Sequence, residues 1–292
     1  MLGMIKSDLK KSLFSITFVI SVIALLVLIL SSPCGYDEYL DKSIFQRILE
    51  NDKDLWKTDA SFSDLMIFQA GFQGHWLSVF LPCITAFAFV PVFCDEYNSG
   101  YWRFNVVRNG RKKYLCSKFF SQLIVSSLVI ITGYVIFAVI CFSIFPHITE
   151  YPPHPVYGEW VNRISFHDYF NTDSCLFFVC ARVFTSLFVA NTGALLCLIL
   201  SAFLMNKYAS VSIPVIVYFF CRVTALNKIF SENTDKYSKL FWLDNSSRFA
   251  AAEIYFPNYW NKPFYFAYIY FIVVQIVLFF LFYYVMKRRL RQ

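Results

Sequence analysis

Charge is scarce in this chain. Asp, Glu, Lys and Arg make up 15% of its 292 residues, while 58% are hydrophobic; a soluble domain is about a quarter charged. A soluble globular protein is therefore excluded. Short alternating segments are also missing, which excludes an outer-membrane barrel. There is no G-x-x-x-x-G-K-[ST] phosphate loop, so the chain does not bind ATP by that device. No Ser-His-Asp grouping appears, and the nine cysteines form no CxxC pair and no metal-ligand spacing. Three of the four histidines (His147, His154, His167) share one polar segment, but at irregular spacing. These absences predict no catalytic, cofactor-binding or metal-ligating residue, and no enzyme. No internal repeat is visible.

What is present is a set of long apolar blocks, each of about 18 or more residues, the length that crosses a bilayer. They read as six transmembrane helices at about 13–31, 76–93, 119–145, 183–205, 208–226 and 263–286. The fold class is an all-α membrane protein, one transmembrane domain over 1–292. Span one resembles a signal peptide, but its apolar run is too long and Pro33 stands where a small residue is expected at a cleavage site. It reads as an anchor. Before it, Leu2, Ile5 and Leu9 share one helical face, which fits a short interfacial helix as well as it fits a frayed basic N-terminus. Pro82 and Pro91 fall inside span two and predict kinks. Extracytoplasmic loops are expected after spans one, three and five. The first, 33–75, is an insert with helical spacing at Tyr39, Ile44, Ile48 and Leu55. Cys34 and Cys175 fall on the outer side, where a disulfide is compatible with the sequence but not required by it.

Orientation follows from the basic residues, which gather on the cytoplasmic side of a membrane protein. The segment 94–118, between spans two and three, carries Arg103, Arg108, Arg111, Lys112, Lys113 and Lys118 against Asp95 and Glu96. With it go Lys6, Lys10 and Lys11, then Lys207, then the tail Lys287, Arg288, Arg289 and Arg291. That places fourteen bases and three acids on one side, against ten bases and sixteen acids on the other. Both termini are expected in the cytoplasm. The net charge of +7 is thus explained by topology, and no nucleic-acid partner is implied. Within 94–118, Asp95-Glu96 suits a helix start, where acids are favoured. Asn98-Ser99-Gly100 and Asn109-Gly110 are punctuation. Tyr101 to Arg108 mixes aromatic, apolar and basic residues, as a helix on a membrane surface or against a protein partner would.

Six spans, cytoplasmic termini, an acid and a glycine just after span two (Glu96-Tyr-Asn-Ser-Gly100), and a basic run into span three (Arg108-Asn-Gly-Arg-Lys-Lys-Tyr-Leu-Cys-Ser-Lys118) together resemble the permease subunit of type-2 ABC exporters. The resemblance implies a translocation pathway formed by a homo- or heterodimer in lipid. It implies a separate ABC ATPase carrying the ATP and Mg, with no cofactor on this chain. It makes 94–118 the coupling segment, with Asp95, Glu96, Gly100, Arg103, Arg108, Arg111 and Lys118 as ATPase-coupling residues. It also implies short re-entrant helices in 227–262, with Phe241, Trp242, Phe249, Ile254 and Tyr255 as wedge residues. The expected setting is a cell membrane, the bacterial plasma membrane, and the expected cargo a peptide, a drug-like molecule or a lipid. The alternative is a polytopic channel, sensor or assembly factor without an ATPase. Arg182 and Arg222 are expected to snorkel to the outer headgroups, with a pathway or interface role as the alternative. Asn191, Asn206 and Gln275 are expected to bond between helices, Asn191 also being a candidate for the pathway or interface.

Overall fold

The computed structural model of the chain describes residues 1–32, 43–50, 62, 65, 75–145, 175–217 and 265–290. Their regular structure is helical, in ten helices. These are α1 (Leu2–Leu13), α2 (Ile16–Leu30), α3 (Ile44–Glu50), α4 (His75–Phe87), α5 (Val90–Asn98), α6 (Tyr101–Asn109), α7 (Arg111–Ile144), α8 (Cys175–Leu204), α9 (Lys207–Val217) and α10 (Tyr265–Arg289). Three of them, α7, α8 and most of α10, are long and apolar enough to cross a membrane. The number rises to five if the bent pairs α1–α2 and α4–α5 each count as one span. The chain is a membrane-embedded, multi-pass all-α protein. Span five is described only as far as Val217, and Arg222, the re-entrant segment, the three loop histidines and Cys34 lie outside the described residues.

Each break has a local cause. α1 and α2 meet at 63°, because Ser15 leaves helical backbone and its hydroxyl accepts from the Phe18 N–H as an N-cap. The break separates the N-terminal helix α1 from the apolar α2. α4 and α5 meet at 47°. A proline ring clashes with the carbonyl four residues earlier, here Phe87, where α4 ends. So Pro91 breaks the span, whereas Pro82 lies inside an unbroken α4. Gly100 and Gly110 flank α6 at φ +76° and +82°, the left-handed region where a side chain is strained.

Helix ends differ from expectation at charged residues. α7 starts at Arg111 rather than 119, so the basic run is its first two turns. α8 starts at Cys175 rather than 183, and takes Arg182 into the helix. α5 runs on to Asn98, so Asp95 and Glu96 sit near a helix C-terminus instead of heading a helix. At Lys118, Arg182, Asp95 and Glu96, tertiary partners offset what helix polarity or hydropathy alone disfavours.

Helix directions can be read from contacts. Asp8 meets Ser117 and Leu25 meets Gly133, so α1–α2 runs with α7. Thr85 meets the Ala190 carbonyl and Asn98 meets that of Met205, so α4–α5 runs with α8. Gln275 meets Thr192 and Arg289 meets the Ala202 carbonyl, so α10 also runs with α8. Ser126 meets Asn191 and Tyr134 meets Ser186, so α7 and α8 are antiparallel. The four basic segments thus converge on one end of the bundle. At the other end, Phe62 of the first insert is buried and packs edge-on against Phe142 of α7.

Candidate functional site: a buried ion cluster beneath an exposed helix

At the basic end, charged side chains from three helices, with a polar one from a fourth, form one cluster. The Lys118 ammonium donates to Asp8 Oδ1 at 2.8 Å and to Glu96 Oε2 at 2.7 Å. Its side chain is 2% exposed. Ser117 donates to the second Asp8 oxygen at 3.0 Å. Glu96 Oε1 accepts from Asn105 Nδ2 at 3.0 Å and from the Tyr114 hydroxyl at 3.3 Å. The partly exposed Lys11 lies 3.8 Å from Glu96 Oε2. Asp8 comes from α1, Glu96 from α5, Asn105 from α6, and Tyr114, Ser117 and Lys118 from α7. Tyr114 and Lys118 are four apart and share a helix face.

This cluster fixes α6. Glu96 holds its middle through Asn105, and Tyr97 stacks on Trp102 at 5.4 Å. The opposite face is left outside. Phe104 is 75% and Val107 87% exposed, with Tyr101 and the basic residues Arg103 and Arg108 also exposed. An apolar pair flanked by guanidinium groups, on a helix held from behind, is a surface suited to a partner.

Of the residues the sequence marks, Glu96 and Lys118 come together, buried, so they act on α6 from behind it. Asp95 points elsewhere: Lys207 donates to it at 3.1 Å, joining α5 to the start of α9. That hydrogen bond raises the Lys207 pKa above its ordinary value, with Coulombic attraction to Asp95 second. Gly100 supplies the turn into α6. Arg103, Arg108 and Arg111 are exposed. Beside them, Arg289 donates to the Ala202 and Phe203 carbonyls at 2.5 and 2.8 Å and lies over the Tyr97 ring, tying the tail to α8 and α5.

Arg182 does not snorkel. It is 1% exposed and its guanidinium lies over the Tyr134 ring at 5.6 Å, inside the bundle. Asn191 accepts from Ser126 and donates to Ser127 at 3.1 Å, linking α8 to α7 as expected. Gln275 likewise donates to Thr192 at 3.3 Å. Asn206 differs: it caps α9, accepting from the Tyr208 and Ala209 N–H groups.

Sequence reasoning missed Asp8, Asn105, Tyr114 and Ser117. The available signal was a polar stripe at i, i+4: Asp8 and Ser12 on α1, Ser117 and Ser121, Lys118 and Gln122 on α7. The expected apolar face of α1 gave no hint of it. Leu2 is 83% exposed, and the side chains α1 buries are Asp8 and Ser12. No metal-binding group of three or more His, Cys, Asp or Glu occurs among the described residues. No protein-family model matches this chain, and no curated protein matches it either.

Proposed function

We propose that this chain is the membrane-spanning subunit of an ATP-driven exporter of the type-2 ABC kind. It has six spans with both termini in the cytoplasm, works as a homo- or heterodimer whose pathway lies between the subunits, and is driven by a separate ATPase carrying ATP and Mg. The observation that supports this reading best is α6. Its exposed Phe104 and Val107, with Arg103 and Arg108, form the contact surface for the ATPase. Glu96, Gly100 and Lys118 set its position, Asp95 ties α5 behind it to α9, and Arg111 extends its basic rim. Movement of the ATPase pair pushes on α6, and the Asp8–Lys118–Glu96 cluster passes that push to α1, α5 and α7 together. The convergence of the four basic segments on one end supports a cytoplasmic assignment for that end. Aromatic-rich walls suit a peptide, drug-like or lipid cargo, and the plasma membrane of a bacterium is the setting.

The test is co-purification with candidate ABC ATPases. Phe104→Asp with Val107→Asp should abolish association while leaving the thermal stability of the free subunit unchanged. Arg103→Glu with Arg108→Glu should weaken it. Association unchanged by both pairs overturns the reading and favours a channel, sensor or assembly factor. Labelling of the half-exposed Cys116 by an impermeant thiol reagent on intact cells would overturn the orientation.

A further inference from the structure

The seam between α1 and α7 is polar well beyond the ion cluster. Asp8 of α1 lies opposite Ser117 of α7, an offset of 109 residues. Further along, Leu25 lies against Gly133, an offset of 108. Within α1 itself, the Asp8–Ser117 offset carried on by one turn puts Ser12 opposite Ser121, one turn deeper than the cluster. Gln122 sits beside Ser121 and one turn above Lys118. Ser12, Ser121 and Gln122 are each completely buried. Their four polar atoms, Ser12 Oγ, Ser121 Oγ, Gln122 Oε1 and Gln122 Nε2, have no hydrogen-bond partner among the described residues.

Leaving such groups dry is costly, about 1–3 kcal/mol for each. The ligand must satisfy both kinds of group. The amide Nε2 needs an acceptor, Oε1 needs a donor, and the hydroxyls take either. A cation would satisfy the oxygens but repel the amide hydrogens, and the Lys118 ammonium one turn away disfavours it further. An anion would leave Oε1 unserved and sit in a region already holding two carboxylates. Water meets every demand, and a buried water typically makes about three such bonds. The geometry points to an internal hydration site in the α1–α7 seam, where at least one ordered water bridges Ser12, Ser121 and Gln122 directly above the Asp8–Lys118–Glu96 cluster.

Such a site makes the seam adaptable. Water-bridged groups can re-pair as α1 shifts against α7, which dry interdigitated side chains cannot do without overlap. The inference rests on the seam alone and holds whether or not the chain couples to an ATPase.

X-ray hydroxyl-radical footprinting of the full chain in nanodiscs tests it, because radiolysis of bound water labels the side chains next to it even where bulk solvent has no access. The useful comparison is between like residues: Val125, one turn from both Ser121 and Gln122 on α7, with Val189 of α8, at 0% and 7% exposed. Labelling of Val125 several-fold above Val189 is expected, with slow exchange of the label source in H2-18O. The triple variant Ser12→Ala, Ser121→Ala, Gln122→Leu should lose that excess. Equal labelling of Val125 and Val189 in the unaltered protein overturns the proposal, and this readout needs no variant to fold. An excess that persists in a folded triple variant also overturns it, since the water would then be held by other groups. A rise in melting temperature for Ser12→Ala with Ser121→Ala would mark dry, unsatisfied hydroxyls and count against the site.

Discussion

At the basic end of the bundle, α1, α5 and α7 meet through two carboxylates and one buried ammonium. Deeper in, the neighbouring helices α2 and α4 meet α7 and α8 through close approach. Leu25 of α2 fills the space over Gly133 of α7, where an added Cβ would stand 2.5 Å from Leu25 Cδ2. The Pro82 ring of α4 fills the space over Gly193 of α8, and an added Cβ there would overlap it. The contrast reflects solvent. Within hydrocarbon, helices gain little from apolar burial against each other, and small residues that allow backbone approach supply the packing. Near the interface, charges can be brought in hydrated and then paired. A buried pair adds little net stability when intact but costs heavily when one partner is lost, whereas a close apolar fit is sensitive chiefly to added volume.

The largest effect should come from breaking the charged region asymmetrically. Lys118→Met leaves Asp8 and Glu96 buried against each other and should cost about 3–5 kcal/mol in reversible unfolding, or abolish folding. Neutralising all three, as Asp8→Asn, Glu96→Gln and Lys118→Met together, should recover most of that loss. A single variant as stable as the unaltered protein would mean that the cluster is hydrated from outside. Next comes added volume in the close-packed region. Gly193→Ala must move the rigid Pro82 ring and should cost about 1–3 kcal/mol. Gly133→Ala meets the far end of a leucine side chain and should cost less; the reverse order in melting temperatures would refute this account of the fit. Gly100→Ala meets no neighbour but keeps φ at +76°, so its cost of about 1–2 kcal/mol is backbone strain alone. That loss should be accompanied by weaker partner association, since Gly100 sets the start of α6.

Smaller still is Asn191→Ala. It removes bonds between α7 and α8 of a kind that averages about 0.6 kcal/mol in membranes. The smallest effect belongs to the exposed Lys207–Asp95 pair, where Lys207→Ala should leave the melting temperature within error. Its pH dependence has a definite sign. The folded-state pKa of Lys207 is raised by the Asp95 hydrogen bond, so the contribution is fully present below the ordinary lysine value. It fades only as pH rises through the raised one. A loss of stability at neutral pH traced to this pair would contradict that.

How far each region was legible in the sequence follows from the same contrast. The apolar blocks announced the spans, and Gly100 and Gly110 announced both ends of α6, because hydropathy and positive φ are local properties. Pro91 and Pro82 look alike in sequence. Only the first breaks its span; Pro82 stays within α4, its ring packed over Gly193 more than a hundred residues away. Arg182 was placed at a membrane edge because a charge in hydrocarbon is costly; its burial beside Tyr134 depends on a neighbouring helix. Glu96 and Lys118 were legible as charged residues beside a span. That Asp8 joins them was not, because the link spans 110 residues.

By itself the sequence determined the all-helical, membrane-embedded class and the sorting of basic residues among its polar segments, because chain-local hydrophobicity and charge decide what enters a bilayer. The tertiary structure alone decided which charges are buried and which are offered outward: the carboxylates of Asp8 and Glu96 close on Lys118, while Phe104 and Val107 remain bare. The physical reason is that a charge is tolerated inside only where another helix brings its partner, and that meeting is a property of packing.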